Sequence, residues 1–158
     1  MTASTHLAVG AATGLVAQEF LSPNASVPEK LFWSFTAGFI SHMVLDAIPH
    51  QEYVIDGFQL GAMILLETGI VFALVLSVRN SLLINSIIFF GMAGGALPDG
   101  IELVYLYILS WDWLRVLGGI IHLSHYKKPI SSGFVLNFYL QAVLAVIAVV
   151  FVKWKLAK

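Results

Sequence analysis

Long apolar runs divide this chain, and they constrain its fold more than any motif does. A hydrocarbon core about 30 Å thick needs roughly 20 apolar residues per crossing helix. Runs of that kind fall at 5–21, 31–48, 57–78, 82–98 and 133–152. In lipid no water is present to satisfy the backbone, so each run has to satisfy its own N–H and C=O groups as a helix. The pattern predicts an all-α fold, a polytopic membrane helical bundle with about five spans plus a short helical hairpin. All of 1–158 forms one transmembrane domain in this reading.

Composition agrees: 59% of the residues are hydrophobic and 11% charged, where a soluble domain carries about a quarter charged. A formal net charge of −1 gives no pull toward nucleic acid. The absence of cysteine excludes disulfides and thiolate metal sites. The first run lacks a Lys/Arg-rich start and a small-x-small cleavage site, so it reads as a retained span rather than a signal peptide.

"SPNASVPEK" (22–30) reads as an exposed loop, and "VRNS" (78–81) as a tight connection. Residues 99–128 are too short and too polar for two comfortable spans. They read as a helical hairpin that enters and returns, with "WDW" (111–113) as an interfacial anchor. "DAIPH" (46–50) and "GALPD" (95–99) repeat one pattern, each expected to end an apolar helix with proline and a polar residue.

Lys and Arg prefer the cytoplasmic side of short loops. Five spans and a returning hairpin put Lys30, Arg79, Lys153, Lys155 and Lys158 on one side and Lys127 and Lys128 on the other. That predicts an extracytoplasmic N-terminus and a cytoplasmic C-terminus in a bacterial or archaeal cell membrane. The same drawing brings His6, His42, His50, His122 and His125 to the outer face, with Asp46 and Asp99. Helix periodicity supports the convergence. His6, Gly10, Gly14 and Gln18 recur every four residues, as do Ser34, Gly38, His42 and Asp46, and Gly91, Gly95 and Asp99. Residues four apart share a helix face, and small residues there let helices approach closely.

The chemistry of that set is metal chemistry. His42 and Asp46 at i, i+4 present an imidazole and a carboxylate side by side. His50 follows Pro49, and "HLSH" (122–125) offers two imidazoles one turn apart. Zinc takes imidazole nitrogen and carboxylate oxygen, and a catalytic site leaves a position for water. His6, His42, Asp46, His50, Asp99, His122 and His125 are the candidate ligands for one or two zinc ions, or another divalent metal. The same residues read individually as helix-pairing hydrogen bonds or solvated turn residues. Glu67 lies about ten residues inside the third run, roughly 15 Å deep at 1.5 Å per residue. A carboxylate at that depth should face the bundle interior. It reads as a ligand, a partner orienting a histidine, a general base, or a protonated structural group. Glu102, one turn beyond Asp99, is a candidate of the same kind.

"THLAVGAATG" (5–14), "SHMVLDAIPH" (41–50), "LPD" (97–99) and the late His-rich segment resemble the bacterial membrane-bound metal-dependent hydrolases. The run "SHMVLDAIPH" is also similar to the His-x3-Asp stretch of zinc-dependent phospholipases C, where those residues bind metal. The resemblance implies metal roles for His6, His42, Asp46, His50 and Asp99. It departs at the end, where a longer family motif is represented by "HLSH" alone.

The expected activity is hydrolysis of an ester, most plausibly a phosphoester of a membrane lipid or lipid-linked substrate, with Glu67 and Asp99 in catalytic roles. Two rivals stand beside it. A divalent-metal or proton-coupled transport protein would need a polar path to the cytoplasmic side. A non-enzymatic membrane scaffold would use the same polar groups to pin the bundle.

Overall fold

The computed structural model describes residues 1–51, 57–77, 81–107, 109, 111–113, 116, 117 and 136–157. Those residues form five α-helices and no strand: α1 (Ala3–Ala17), α2 (Val27–Asp46), α3 (Gly57–Leu76), α4 (Leu82–Tyr107) and α5 (Phe138–Leu156). A short 3₁₀ turn, Gln18–Phe20, extends α1. Capping sets two of the starts. Ser26 accepts from the Glu29 N–H at the head of α2, with Pro28 in its first turn, and Asn137 accepts from the Leu140 N–H at the head of α5.

Three of the five helices are long and apolar enough to cross a membrane: Phe58–Val75, Leu82–Tyr105 and Phe138–Leu156. The other two differ for separate reasons. α1 has 15 residues, about 22 Å at 1.5 Å per residue. α2 has 20 residues but carries Glu29, Lys30, Ser34, Thr36, Ser41, His42 and Asp46 along its length. Four of the five expected apolar runs contain a helix start or end shifted by a few residues. Propensity fixes helix boundaries less firmly than caps and packing do.

α1 runs through the middle and touches all four other helices, with α2 and α4 packed together on one side of it and α3 and α5 on the other. The contacts fix the directions. Gly10 lies against Gly91 and Gly95, whereas Gly14 lies against Ile87 and Ser34, so α1 is antiparallel to both α2 and α4. Ser4 meets Glu67 and Thr5 meets Gln141 at one end, and Glu19 pairs with Lys155 at the other. α5 therefore runs parallel to α1, and so does α3, which ends at Leu76, six residues from the start of α4 at the Gly14 end of the bundle.

The seam of α1, α2 and α4 is glycine against glycine. A Cβ at Gly10 would fall 2.5 Å from the Gly91 carbonyl oxygen, and one at Gly38 would fall 2.0 Å from the same atom. Those separations leave no room for a side chain, so the backbones approach as small-xxx-small helix pairs do. Beside this seam Leu7, Ala8, Ala11 and Leu15 of α1 pack against Val75, Ile88, Met92 and Val149. The outer flanks carry the opposite chemistry from a soluble protein: Ile40, Val44, Leu65, Phe89, Val146 and Val150 are all exposed. That outer surface suits acyl chains, as does the length of the three apolar helices.

Pro98 corrects one expectation. It was expected to end the fourth span and begin a hairpin at 99, but α4 continues through it to Tyr107. A proline inside a helix removes the donor for the carbonyl four residues back, here Gly94. Helices tolerate that in membranes where neighbours satisfy the freed groups. In α4 the adjacent Gly95 carbonyl accepts from His42. The expected parallel between "DAIPH" and "GALPD" thus holds only at the first: α2 does stop at Asp46, ahead of Pro49.

Candidate metal centre

His6 stands on the first turn of α1, His42 and Asp46 on the last turns of α2, and Asp99 on α4 just beyond Pro98. His6, Asp46 and Asp99 end the four-residue stripes that carry their helices into the glycine seam, and His42 lies one turn before Asp46. The backbones meet so closely there that the side chains one turn further on are driven together. Two imidazoles and two carboxylates offer one ligand atom each, all within 4.8 Å of one another.

His42 Nε2 lies 2.9 Å from Asp46 Oδ2 and 3.7 Å from Asp99 Oδ1. His6 Nε2 lies 3.2 Å from Asp46 Oδ1 and 4.0 Å from Asp99 Oδ2. The two rings stack with centroids 4.0 Å apart. Zinc at about 2.0–2.1 Å from four donors separates those donors by roughly 3.3 Å, so these distances span the edge of a tetrahedral site. His6, His42 and Asp46 are 1%, 0% and 5% exposed. The Asp99 side chain is 35% exposed and is the reachable member.

One hydrogen bond selects the ligand atom. His42 Nδ1 lies 2.8 Å from the Gly95 carbonyl, which can only accept, so Nδ1 carries the hydrogen. In the neutral ring Nε2 then presents a lone pair toward Asp46. An outer partner that fixes a ring in this tautomer accompanies metal-ligating histidines generally. A lone pair facing a carboxylate oxygen at 2.9 Å requires a cation or a proton between them. With neutral rings the four groups carry a formal charge of −2 in an apolar bundle, and burial of that kind demands compensation.

The other expected site residues lie elsewhere. His50 stands in the turn after α2, where its Nδ1 donates to the Ile48 carbonyl at 2.7 Å and its Nε2 meets the Met1 amine. It is not in the four-residue group. Its turn is tied by a backbone bridge to Leu136, ahead of α5. Glu67 also sits apart from the group: its Oε2 accepts the Ser4 N–H at 2.8 Å. Ser4 belongs to the first turn of α1, whose N–H groups have no partner within the helix and whose dipole favours a carboxylate. Glu102 is on α4, one turn past Asp99. His122 and His125 lie outside the described residues.

Gln141 is the polar residue that sequence reasoning passed over. It is fully buried on α5. Its Oε1 accepts from the Thr2 N–H at 2.8 Å, and its Nε2 donates to the carbonyls of Gln51 and Leu136 at 2.9 and 3.0 Å. The signal was present, since a lone amide in "FYLQAVLAVIAVV" is as anomalous in lipid as a lone carboxylate.

Comparison with protein-family models, curated proteins and solved structures finds no match to this chain. Its functional reading rests on its own residues.

Proposed function

We propose that the chain is a five-span membrane protein that holds one divalent metal ion between His6, His42, Asp46 and Asp99 and hydrolyses a phosphoester of a lipid or lipid-linked substrate. The carrying observation is the convergence of two imidazole nitrogens and two carboxylates inside an apolar bundle. Nitrogen and oxygen donors without thiolate suit zinc. Bound there, zinc would supply a Lewis acid and a water that ionises near neutral pH. His42, oriented by Gly95, and His6, oriented by the first turn of α1, hold the ion in place. Asp99 stands at the open side as the ligand a substrate would approach, and neighbouring Glu102 is in reach of the same side. The resemblance of "SHMVLDAIPH" to metal-binding hydrolase motifs points the same way.

Charge supports the orientation. Lys30, Lys153 and Lys155 all lie at the end of the bundle opposite the metal group. By the positive-inside rule that end is cytoplasmic, and the site then faces the outer leaflet. Exposed Trp111 and Trp113 follow α4 at the site end, as an interfacial aromatic belt would. A site at that level meets lipid head groups directly.

The scaffold reading draws on one specific observation, the direct 2.9 Å approach of His42 to Asp46, which a shared proton would also produce. Transport draws on none. Toward the cytoplasmic end Ser34 Oγ is committed to the Ile87 carbonyl and Thr36 Oγ1 to that of Phe32. The test is turnover of lipid phosphoesters by detergent-purified protein supplied with zinc. We expect hydrolysis by the wild type and its loss in Asp99→Asn at unchanged helicity. Equal turnover by both, or none by either, would remove the hydrolase reading.

A further inference from the structure

We infer that Gln141, a residue of α5 outside the four-residue group, is a positioning residue for that group. This rests on the proposed metal centre and extends it to a helix that contributes no ligand.

The His6-bearing turn of α1 is held from outside by the backbone and side chain of Gln141 together. Gln141 Oε1 takes the Thr2 N–H, and its own carbonyl takes the Thr5 hydroxyl at 3.1 Å. Thr5 immediately precedes His6. The same amide group donates to Gln51, five residues beyond Asp46 in the turn that leaves α2. One fully buried side chain therefore joins the start of α1, which carries His6, to the exit of α2, which carries His42 and Asp46. Its third bond, to Leu136, anchors that junction at the head of α5. Each amide hydrogen and the amide oxygen is used, so the side chain has one orientation. Replacing it leaves the buried Thr2 N–H without its partner and cuts the ties to Gln51 and Leu136. His6 makes the longer approaches in the group, at 3.2 and 4.0 Å, and has no ring hydrogen bond of the kind His42 makes to Gly95. The position of His6 thus depends on the first turn of α1, which Gln141 ties at Thr2 and Thr5 while Glu67 takes the Ser4 N–H.

Gln18 supplies the matched control. Its Nε2 donates to the Gly14 and Lys30 carbonyls at 3.1 Å, tying the far end of α1 to α2 by the same chemistry.

The experiment is cobalt(II) titration of purified, metal-stripped full-length protein, following its visible ligand-field bands, alongside thermal melts of each metal-free variant. Outer-sphere changes weaken metal sites by about 10–100-fold. We expect Gln141→Leu to weaken cobalt binding by that factor and to give the band pattern of His6→Ala. Gln18→Leu is expected to bind as wild type even where its melting temperature falls equally. Thr5→Val, which keeps side-chain shape and removes the bond to the Gln141 backbone carbonyl together with the pairing to the Thr2 hydroxyl, covers the case in which Gln141→Leu does not fold; it should shift binding in the same direction by less. Wild-type affinity and bands in Gln141→Leu, or in Thr5→Val should the former not fold, would overturn the positioning role while leaving the metal centre intact. Absence of cobalt binding by the wild type would instead overturn the metal centre and this inference with it.

Discussion

Asp46 stands between two imidazoles, with one carboxylate oxygen toward His6 and the other toward His42. That arrangement makes each ligand depend on the others. His42→Ala leaves a buried carboxylate short of its nearest partner, and breaking a buried pair from one side costs about 3–5 kcal/mol. We therefore expect His42→Ala to lower the unfolding midpoint as well as to remove metal, and the double variant His42→Ala, Asp46→Leu to recover part of the stability without recovering metal. Thermal melts with parallel metal analysis separate the two effects; stability that falls further in the double variant would contradict a charge-burial origin. Several members of the four-residue cluster were legible in the sequence because His42 and Asp46 share a helix face and His6 and Asp99 each end a glycine stripe. The limits of that reading are equally physical. His50 shares the motif, but Pro49 turns the chain and its ring is taken up by Ile48 and Met1. Spacing along one segment does not report what a side chain meets across the bundle. Glu67, expected to face the bundle interior, is half-buried, and its partner, the Ser4 N–H, belongs to another helix.

Among the helices, the glycines divide into two classes that sequence alone does not distinguish. Gly10, Gly38, Gly91, Gly94 and Gly95 face neighbouring backbone and Gly14 the Ser34 hydroxyl, whereas Cβ atoms at Gly61 and Gly69 of α3 and Gly100 of α4 would meet nothing within 4 Å. Gly91→Ala puts a methyl group 2.4 Å from the Gly10 carbonyl oxygen, and overpacking of that kind costs about 1–3 kcal/mol. Gly69→Ala meets no obstacle and should gain up to about 1 kcal/mol of helix propensity. Melts of the two variants should move in opposite directions, and a common direction would contradict the packing described here. Gly91→Ala should also weaken metal binding, since parting α1 from α4 parts His6 from Asp99. Periodicity revealed the inward faces of these helices, but the run-through at Pro98 was hidden. Whether a proline ends a helix depends on what satisfies the carbonyls around it, and here His42 of another helix contributes.

Direction alternates through the five helices of the described residues, with the His/Asp cluster at one end and the Glu19–Lys155 pair at the other. Apolar run length made the class of fold legible, while the central place of short α1 was not, because a run's length says nothing about its neighbours. The cysteine-free chain permits a direct test of orientation. A single cysteine at Gln51 should react with an impermeant maleimide in intact cells, and one at Asn24 only after permeabilisation; the reverse pattern would invert the proposed topology. The metal itself is tested most directly by elemental analysis of freshly purified protein. We expect about one zinc per wild-type chain, the stoichiometry of a single four-donor site, and none in His42→Ala, Asp46→Leu. Wild-type protein free of any stoichiometric transition metal, or a double variant that retains it, would contradict the metal centre on which the proposed function stands.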